Sequence, residues 1–274
     1  MEDLRRALGA QLTPLYDAGE AMSIARIAAD YARRFVAPNA LNDFWAQLSQ
    51  RLLAGEPIQY VLGETEFLGK RFKVSPAVLI PRMETEELVV LAWDILKEKK
   101  APAVLDIGLG SGCIALSIKA KRPDTRLFGL EKSPEALEIA RENITWVLKN
   151  PDAVHFAEGD ILQPETLPSD WPLFDLIVSN PPYIPHQEAA LMPAHVLAHE
   201  PHLALFVEDA DPLLFYRKIA EWAKTRLAPG GHLLFECNEF NAREVVQLLE
   251  QQGYKHTTLH KDLSGADRTV ISEQ

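Results

Sequence analysis

From residue 102 onward, short apolar runs alternate with amphipathic stretches, and that alternation leaves few folds open. Strands are predicted at Val104–Ile107, Arg126–Leu130, Val154–Glu158, Asp175–Ser179, Gly231–Glu236 and Thr257–His260, with a last one near Val270. Helices are predicted over residues 113–121, 134–148, 212–227 and 241–252. Parallel neighbours need long crossovers, and helices supply them, so the pattern predicts an α/β chain with a mostly parallel sheet covered on both faces.

The preceding residues differ. Ile24, Ile27, Ala28, Tyr31 and Phe35 share one helical face, with Ser23 placed as an N-cap. Leu41, Phe44, Trp45, Leu48 and Leu52 repeat the spacing, and Gly55 followed by Pro57 ends that helix. An earlier helix is expected from Leu4 to Tyr16, broken or kinked near Pro14. Phe67 to Val74 alternates about a Gly-Lys turn and reads as a hairpin, and Glu84 to Leu96 reads as a helix with an acidic start. The expected organisation is therefore a helical domain over 1–56, a hairpin linker over 57–80 and the α/β domain over 81–274. Cys113 and Cys237 form no CxxC pair, and each sits among apolar neighbours.

Two segments carry chemistry. The run Val-Leu-Asp106-Ile-Gly108-Leu109-Gly110-Ser111-Gly112 leaves a strand and enters a helix, and glycines there let a ligand approach the backbone closely. A GxGxG alone is a weak signal, but it is not the GxGxxG of dinucleotide sites. Asp106 would repel a pyrophosphate and could help hold a cation, which suits S-adenosylmethionine, a sulfonium and ammonium compound without phosphate. Glu131, about 20 residues beyond the loop, is placed to accept the ribose hydroxyls. Asp160 suits the adenine amine, with Ile161 packed on the ring.

The second segment is Ser179-Asn180-Pro181-Pro182-Tyr183-Ile184-Pro185, directly after a strand. Two prolines fix φ and hold Asn180 in an extended conformation at the carboxyl end of the sheet. The Asn180 side-chain oxygen and the Pro181 carbonyl can grip both hydrogens of a planar NH2 group and favour a pyramidal nitrogen. Such preorganised groups contribute on the order of 2–4 kcal/mol each. Asn180, Pro181 and Tyr183 form the expected catalytic set, with Pro182 completing the substrate grip and Tyr183 stacking on the flat group.

The linked motifs resemble those of the bacterial protein-(glutamine-N5) methyltransferases that modify peptide chain release factors. Pro57-x-x-Tyr60-x-x-Gly63, Phe67-x-Gly69-x-x-Phe72-x-Val74 and Leu79-Ile80-Pro81-Arg82-x-Glu84-Thr85-Glu86 carry the likeness. So do the glycine loop, Ser133-Pro134-x-Ala136-Leu137, the Asn-Pro-Pro-Tyr run, Glu200-Pro201 with Ala204-Leu205, and Lys261-Asp262-Leu263-x-Gly265-x-x-Arg268. The resemblance implies a Rossmann-like methyltransferase sheet with its last strand antiparallel and a small N-terminal helical domain that helps recognise the release factor. It implies transfer from S-adenosylmethionine to the glutamine amide of a Gly-Gly-Gln motif. Gly108 to Gly112, Glu131, Asp160 and Ile161 would contact the cofactor, with Asn180 shared between cofactor and glutamine. Asn180 to Tyr183 would hold the glutamine, and Pro81-Arg82 would lie on the cofactor side. The chain departs from the pattern at Glu131, where aspartate is common, at Met83, in the glycine-poor Phe206–Pro212, and at Glu236-Cys-Asn-Glu.

Charge narrows the partners. The net charge is −11, while residues 1–55 balance six arginines against six acids, so the deficit lies beyond them. An acidic large domain is a poor match for a phosphate backbone, which weighs against N6-adenine methylation of DNA or RNA. Glutamine methylation of a ribosomal protein is the other alternative; Glu84-Thr85-Glu86 favours the release-factor branch. His195, His199 and His202 do not make HExxH, and no metal is expected. No apolar run is long enough to cross a membrane and no signal-peptide core opens the chain, so a cytoplasmic monomer is expected.

Overall fold

A computed structural model describes residues 2–149 and 152–274. Three helices come first: α1 (Glu2–Leu12), α2 (Ala18–Phe35) and α3 (Leu41–Leu53). A short α4 (Ile58–Leu62) leads into a hairpin of β1 (Glu64–Phe67) and β2 (Lys70–Lys73). The α/β part runs α5 (Met83–Leu96), β3 (Ala103–Ile107), α6 (Cys113–Lys121), β4 (Arg126–Glu131), α7 (Pro134–Val147), β5 (Val154–Glu158) and β6 (Phe174–Ser179). It continues through β7 (Ile184–Pro185), α8 (Ala194–His199), α9 (His202–Leu205), β8 (Phe206–Val207), α10 (Leu214–Ala223), β9 (Leu227–Glu236), α11 (Ala242–Gln251), β10 (Lys255–Lys261) and β11 (Asp267–Glu273).

Seven strands form the main sheet in the order β10-β11-β9-β6-β3-β4-β5. The pairs from β5 to β9 are parallel, whereas β11 runs antiparallel to both neighbours. The expected α/β class and antiparallel last strand are both present. Alternation places Leu105 and Ile107 of β3 against α10 and α11, while Val104 faces α5 and α6. Because β4 and β6 flank β3 on opposite sides, the strand order reverses there, and a crevice opens between the tips of β3 and β6. Ile107 pairs with Ser179 at those tips, and the Ser179 hydroxyl donates to the Ile107 carbonyl at 2.6 Å.

The N-terminal helices have a separate core of Leu8, Leu12, Trp45, Leu48, Leu52 and an alanine-rich face of α2. Here the structure corrects the sequence reading. Helix α2 starts at Ala18, capped by Asp17, whose side chain accepts from the Glu20 N–H at 2.9 Å, so Ser23 lies inside the helix. Its buried face is Ala21, Ile24, Ala25, Ala28, Ala29 and Ala32, leaving Ile27 and Phe35 exposed. Small alanines let α1 and α2 approach closely, a gain the hydrophobic spacing alone did not reveal. Helix α1 ends at Leu12, two residues before Pro14, instead of extending to Tyr16. The hairpin turns at Leu68-Gly69, both with positive φ, and Lys70 already belongs to β2.

Candidate active site

The carboxyl edge of the sheet carries a cavity of about 340 Å³, within the range of small-molecule sites. Along that edge the strand order sets out the expected residues: Asn180 beyond β6, the glycine loop beyond β3, Glu131 ending β4, and Asp160 beyond β5. Gly108, Leu109, Gly110, Ser111, Glu131, Asp160, Ile161, Asn180, Pro181 and Pro182 all line the cavity, as do Pro81 and Arg82.

Two expected residues stand outside the lining. Gly112 caps α6 at φ 77°, and a Cβ there would press on Leu116 at 3.2 Å. Tyr183 packs against the core beneath α10, and burial pushes its phenol up. Asp106 is fully buried with one oxygen accepting from the Ala115 N–H at 3.2 Å, and burial raises its carboxyl well above the usual range. That oxygen faces the start of α6, and among the described residues the other has no hydrogen-bond partner.

The cofactor-side wall is mostly backbone. Gly108 and Gly110 adopt φ of 78° and 53°, and a Cβ on either would project into open space. The left-handed conformation explains the glycines, and the open side is the approach a ligand needs. The Leu130 carbonyl accepts from Gly108 N–H at 2.9 Å and Leu109 N–H at 3.1 Å, which pins the loop to β4. Glu131 is 8% exposed; its two oxygens accept from Gly110 N–H at 2.8 Å and Ser133 N–H at 2.9 Å. A carboxylate has about four acceptor sites, so one held by two amides still offers lone pairs to a pair of hydroxyls. Ser133 also caps α7, accepting from Ala136 N–H at 3.2 Å ahead of Pro134 at the first turn. Asp160 accepts from Leu162 N–H at 2.9 Å and pairs with Lys132 at 2.9 Å, so its carboxylate is already engaged on the polar side of the cavity. Open glycines, a fixed carboxylate, an acid and the apolar Ile161 are a donor and acceptor set that fits S-adenosylmethionine.

The opposite wall is built of side chains. The Asn180 amide donates to the Thr85 hydroxyl at 3.5 Å, and Thr85 donates to Glu236 at 2.7 Å. Glu236 is 2% exposed, and burial pushes its carboxyl up to about 7. Arg268 donates to the Cys237 carbonyl at 3.2 Å and to Asp262 at 3.1 Å, while Asp262 also accepts from the Ser264 and Ala266 N–H groups. The terminal motif thus closes the turn between β10 and β11 and aims Arg268 at the end of β9. Over the cavity, residues 184–207 form a closed loop whose ends pair as β7 and β8. Glu200 anchors it, accepting from Ile80 N–H at 3.1 Å and from Arg82 at 2.6 Å. Tyr16 of the helical region meets His195 of α8 at a tilt, with ring centroids 5.9 Å apart.

Glu236 and Thr85 are functional candidates that the sequence pattern alone does not single out. The two lie 151 residues apart, and no local spacing joins them.

Comparison with known proteins gives the family. A family model described as methyltransferase small domain matches residues 89–207. A release factor glutamine methyltransferase from Flavobacterium psychrophilum is 46% identical over 231 residues, covering 82% of this chain and 78% of its own. The Bacteroides thetaiotaomicron protein of the same description is 44% identical over 226 residues, with the same coverage of each chain. A solved methyltransferase from Pyrococcus furiosus shares the fold, with a TM-score of 0.51 at 18% identity, over 82% of this chain and 96% of that one. With that level of identity across most of its length, and a methyltransferase fold beneath it, the chain belongs to the release factor glutamine methyltransferase family.

Proposed function

We propose that this protein transfers a methyl group from S-adenosylmethionine to the side-chain amide nitrogen of a glutamine, in the Gly-Gly-Gln motif of a peptide chain release factor. The observation that carries this reading is the placement of Asn180 and Pro181 on the cavity wall, one strand away from the open glycines of the loop. When bound, the cofactor supplies a methyl on a positively charged sulfur and leaves as a neutral thioether.

The chain's own residues do the rest. An amide nitrogen is a weak nucleophile because its lone pair is shared with the carbonyl. Among the described residues, no protein donor takes the carbonyls of Asn180 or Pro181. The Asn180 side-chain oxygen and the Pro181 carbonyl accept the two amide hydrogens and favour the pyramidal nitrogen. Proline at 181 and 182 keeps both acceptors from drifting, so alignment costs little at the moment of reaction. The nitrogen's proton becomes acidic as the new bond forms and passes to solvent, so no strong base is required. Pro182 packs beside the grip, and Tyr183 supports it from the core side. Glu131 holds the ribose and Asp160 the adenine edge, with Ile161 against the ring.

The helical region of residues 1–56 is assigned to docking the body of the release factor; its Tyr16–His195 contact with the loop over the cavity supports that role. No helix among the described residues is long and apolar enough to cross a membrane, and the reaction is assigned to the cytoplasm, where translation ends. The test is to incubate the protein with labelled cofactor and a mixture of purified release factor, ribosomal proteins and nucleic acid, then locate the methyl by mass spectrometry. Label on the Gly-Gly-Gln glutamine is expected. Label only on a ribosomal protein or on adenine in nucleic acid would overturn the assignment.

A further inference from the structure

We propose that Glu236 is a positioning residue for the transfer: with Thr85 it fixes which way the Asn180 carboxamide faces, turning its NH2 inward and its oxygen to the cavity. The inference rests on the proposed amide grip and adds what orients it.

The argument is one of donors and acceptors. A carboxylate can only accept hydrogen bonds. Glu236 accepts from the Thr85 hydroxyl at 2.7 Å, and the nearby Asn180 amide helps hold its charge. With its proton committed, the Thr85 oxygen has only lone pairs to offer the Asn180 Nδ2, 3.5 Å away. Both Thr85 and Glu236 therefore present acceptors to Asn180, and the NH2 end of the carboxamide is the end that suits them. The oxygen is left for the substrate. Neither the double proline nor the strand tip sets this choice, because a carboxamide turned end for end has the same shape.

Glu236 does not line the cavity; it acts through Asn180. Its surroundings set how much charge this buried acid carries near neutrality. Burial raises its carboxyl to about 7, opposed by the Thr85 bond, the Arg268 charge and the Asn180 bond, while Glu84 at the start of α5 raises it further. Tyr183, Cys237 and Cys113 also face it as neutral groups, each with its own proton held more tightly by burial. Tyr216 from α10 donates to the Glu236 backbone carbonyl at 3.1 Å and leaves the carboxylate free. Protonated, Glu236 gains a donor, and the inner side no longer dictates the direction of Asn180. Turnover should therefore climb as pH rises through about 7.

Buried charge also opposes stability. The folded chain holds the Glu236 proton more tightly than the unfolded chain, so stability is lost as pH rises from the unfolded value of about 4.5 to about 7. Glu236→Gln removes that loss.

The experiment compares wild type with Glu236→Gln, using a purified release factor, labelled cofactor and calorimetry of cofactor binding. At pH ~8 the variant should lose about ten- to a hundredfold in kcat, the worth of a hydrogen bond to a charged group. Cofactor affinity should hold, and the rising pH limb should vanish. Its melting temperature should exceed that of wild type at pH ~8, with the gap closing toward pH ~5. Thr85→Val, which keeps the carboxylate and removes the hydroxyl between, should also lose kcat with cofactor affinity intact. Unchanged kcat and pH profile in both variants would overturn the proposal. A wild-type protein that labels no glutamine would instead overturn the proposed function, so the two failures are separable.

Discussion

The two walls of the cavity are made of different material. On one side the chain offers backbone: left-handed glycines, amide donors and a carboxylate pinned by two N–H groups. On the other it offers side chains gathered from distant segments, with Asn180, Thr85, Glu236 and Arg268 in one network. A backbone wall is fixed as soon as its strands pair. A side-chain wall depends on protonation and rotamer, and can be altered without disturbing the sheet. Binding and chemistry should therefore be separable by mutation.

The largest effect expected in such a separation is at Asn180. Asn180→Ala should lower methyl transfer by about 10²–10³-fold, comparable to removing one preorganised group, while calorimetric cofactor affinity stays near wild type. Loss of affinity in proportion to turnover would mean that the walls do not act separately. Next comes Glu131→Ala, which should weaken cofactor binding by roughly ten- to a hundredfold, as loss of bonds to a charged acceptor does. With saturating cofactor its kcat should recover; failure to recover would give the backbone wall a part in the chemistry.

The smallest effect sharpens the comparison from beneath. Gly129 sits in β4, and a Cβ there would lie 2.8 Å from Leu109 and from Phe156. Gly129→Ala should cost about 1–3 kcal/mol in urea unfolding, as overpacking does. Because Leu109 belongs to the glycine loop, the same variant should weaken cofactor binding more than it changes kcat. A reversed order would contradict the division of labour.

The sequence made the backbone wall readable because its signals are local. Glycine spacing, strand ends and the Ser133-Pro134 helix start each lie within a few residues of what they build. Asn180 was readable for the same reason, since the prolines that hold it are its neighbours. Gly112 completes the glycine spacing, and its left-handed turn also opens α6, where a Cβ would press on Leu116. Tyr183 was counted with the grip because it follows the prolines, yet it turns into the core. Glu236 could not be found by spacing: its partners come from α5, the segment after β6 and β11, and only the folded sheet brings them together. The helical region gave a similar lesson. Large apolar residues suggested one face of α2, whereas close packing against α1 selected the alanines.

The clasp at Glu200 has a consequence for traffic through the mouth. Its carboxylate, 1% exposed, holds the Ile80 amide and Arg82 together. Swinging residues 184–207 outward would carry Glu200 away from both partners and leave the Ile80 amide without its acceptor. That clasp resists opening of the segment, which favours a thin target chain that enters through the existing mouth. Two glycines ahead of a glutamine make a chain of that calibre.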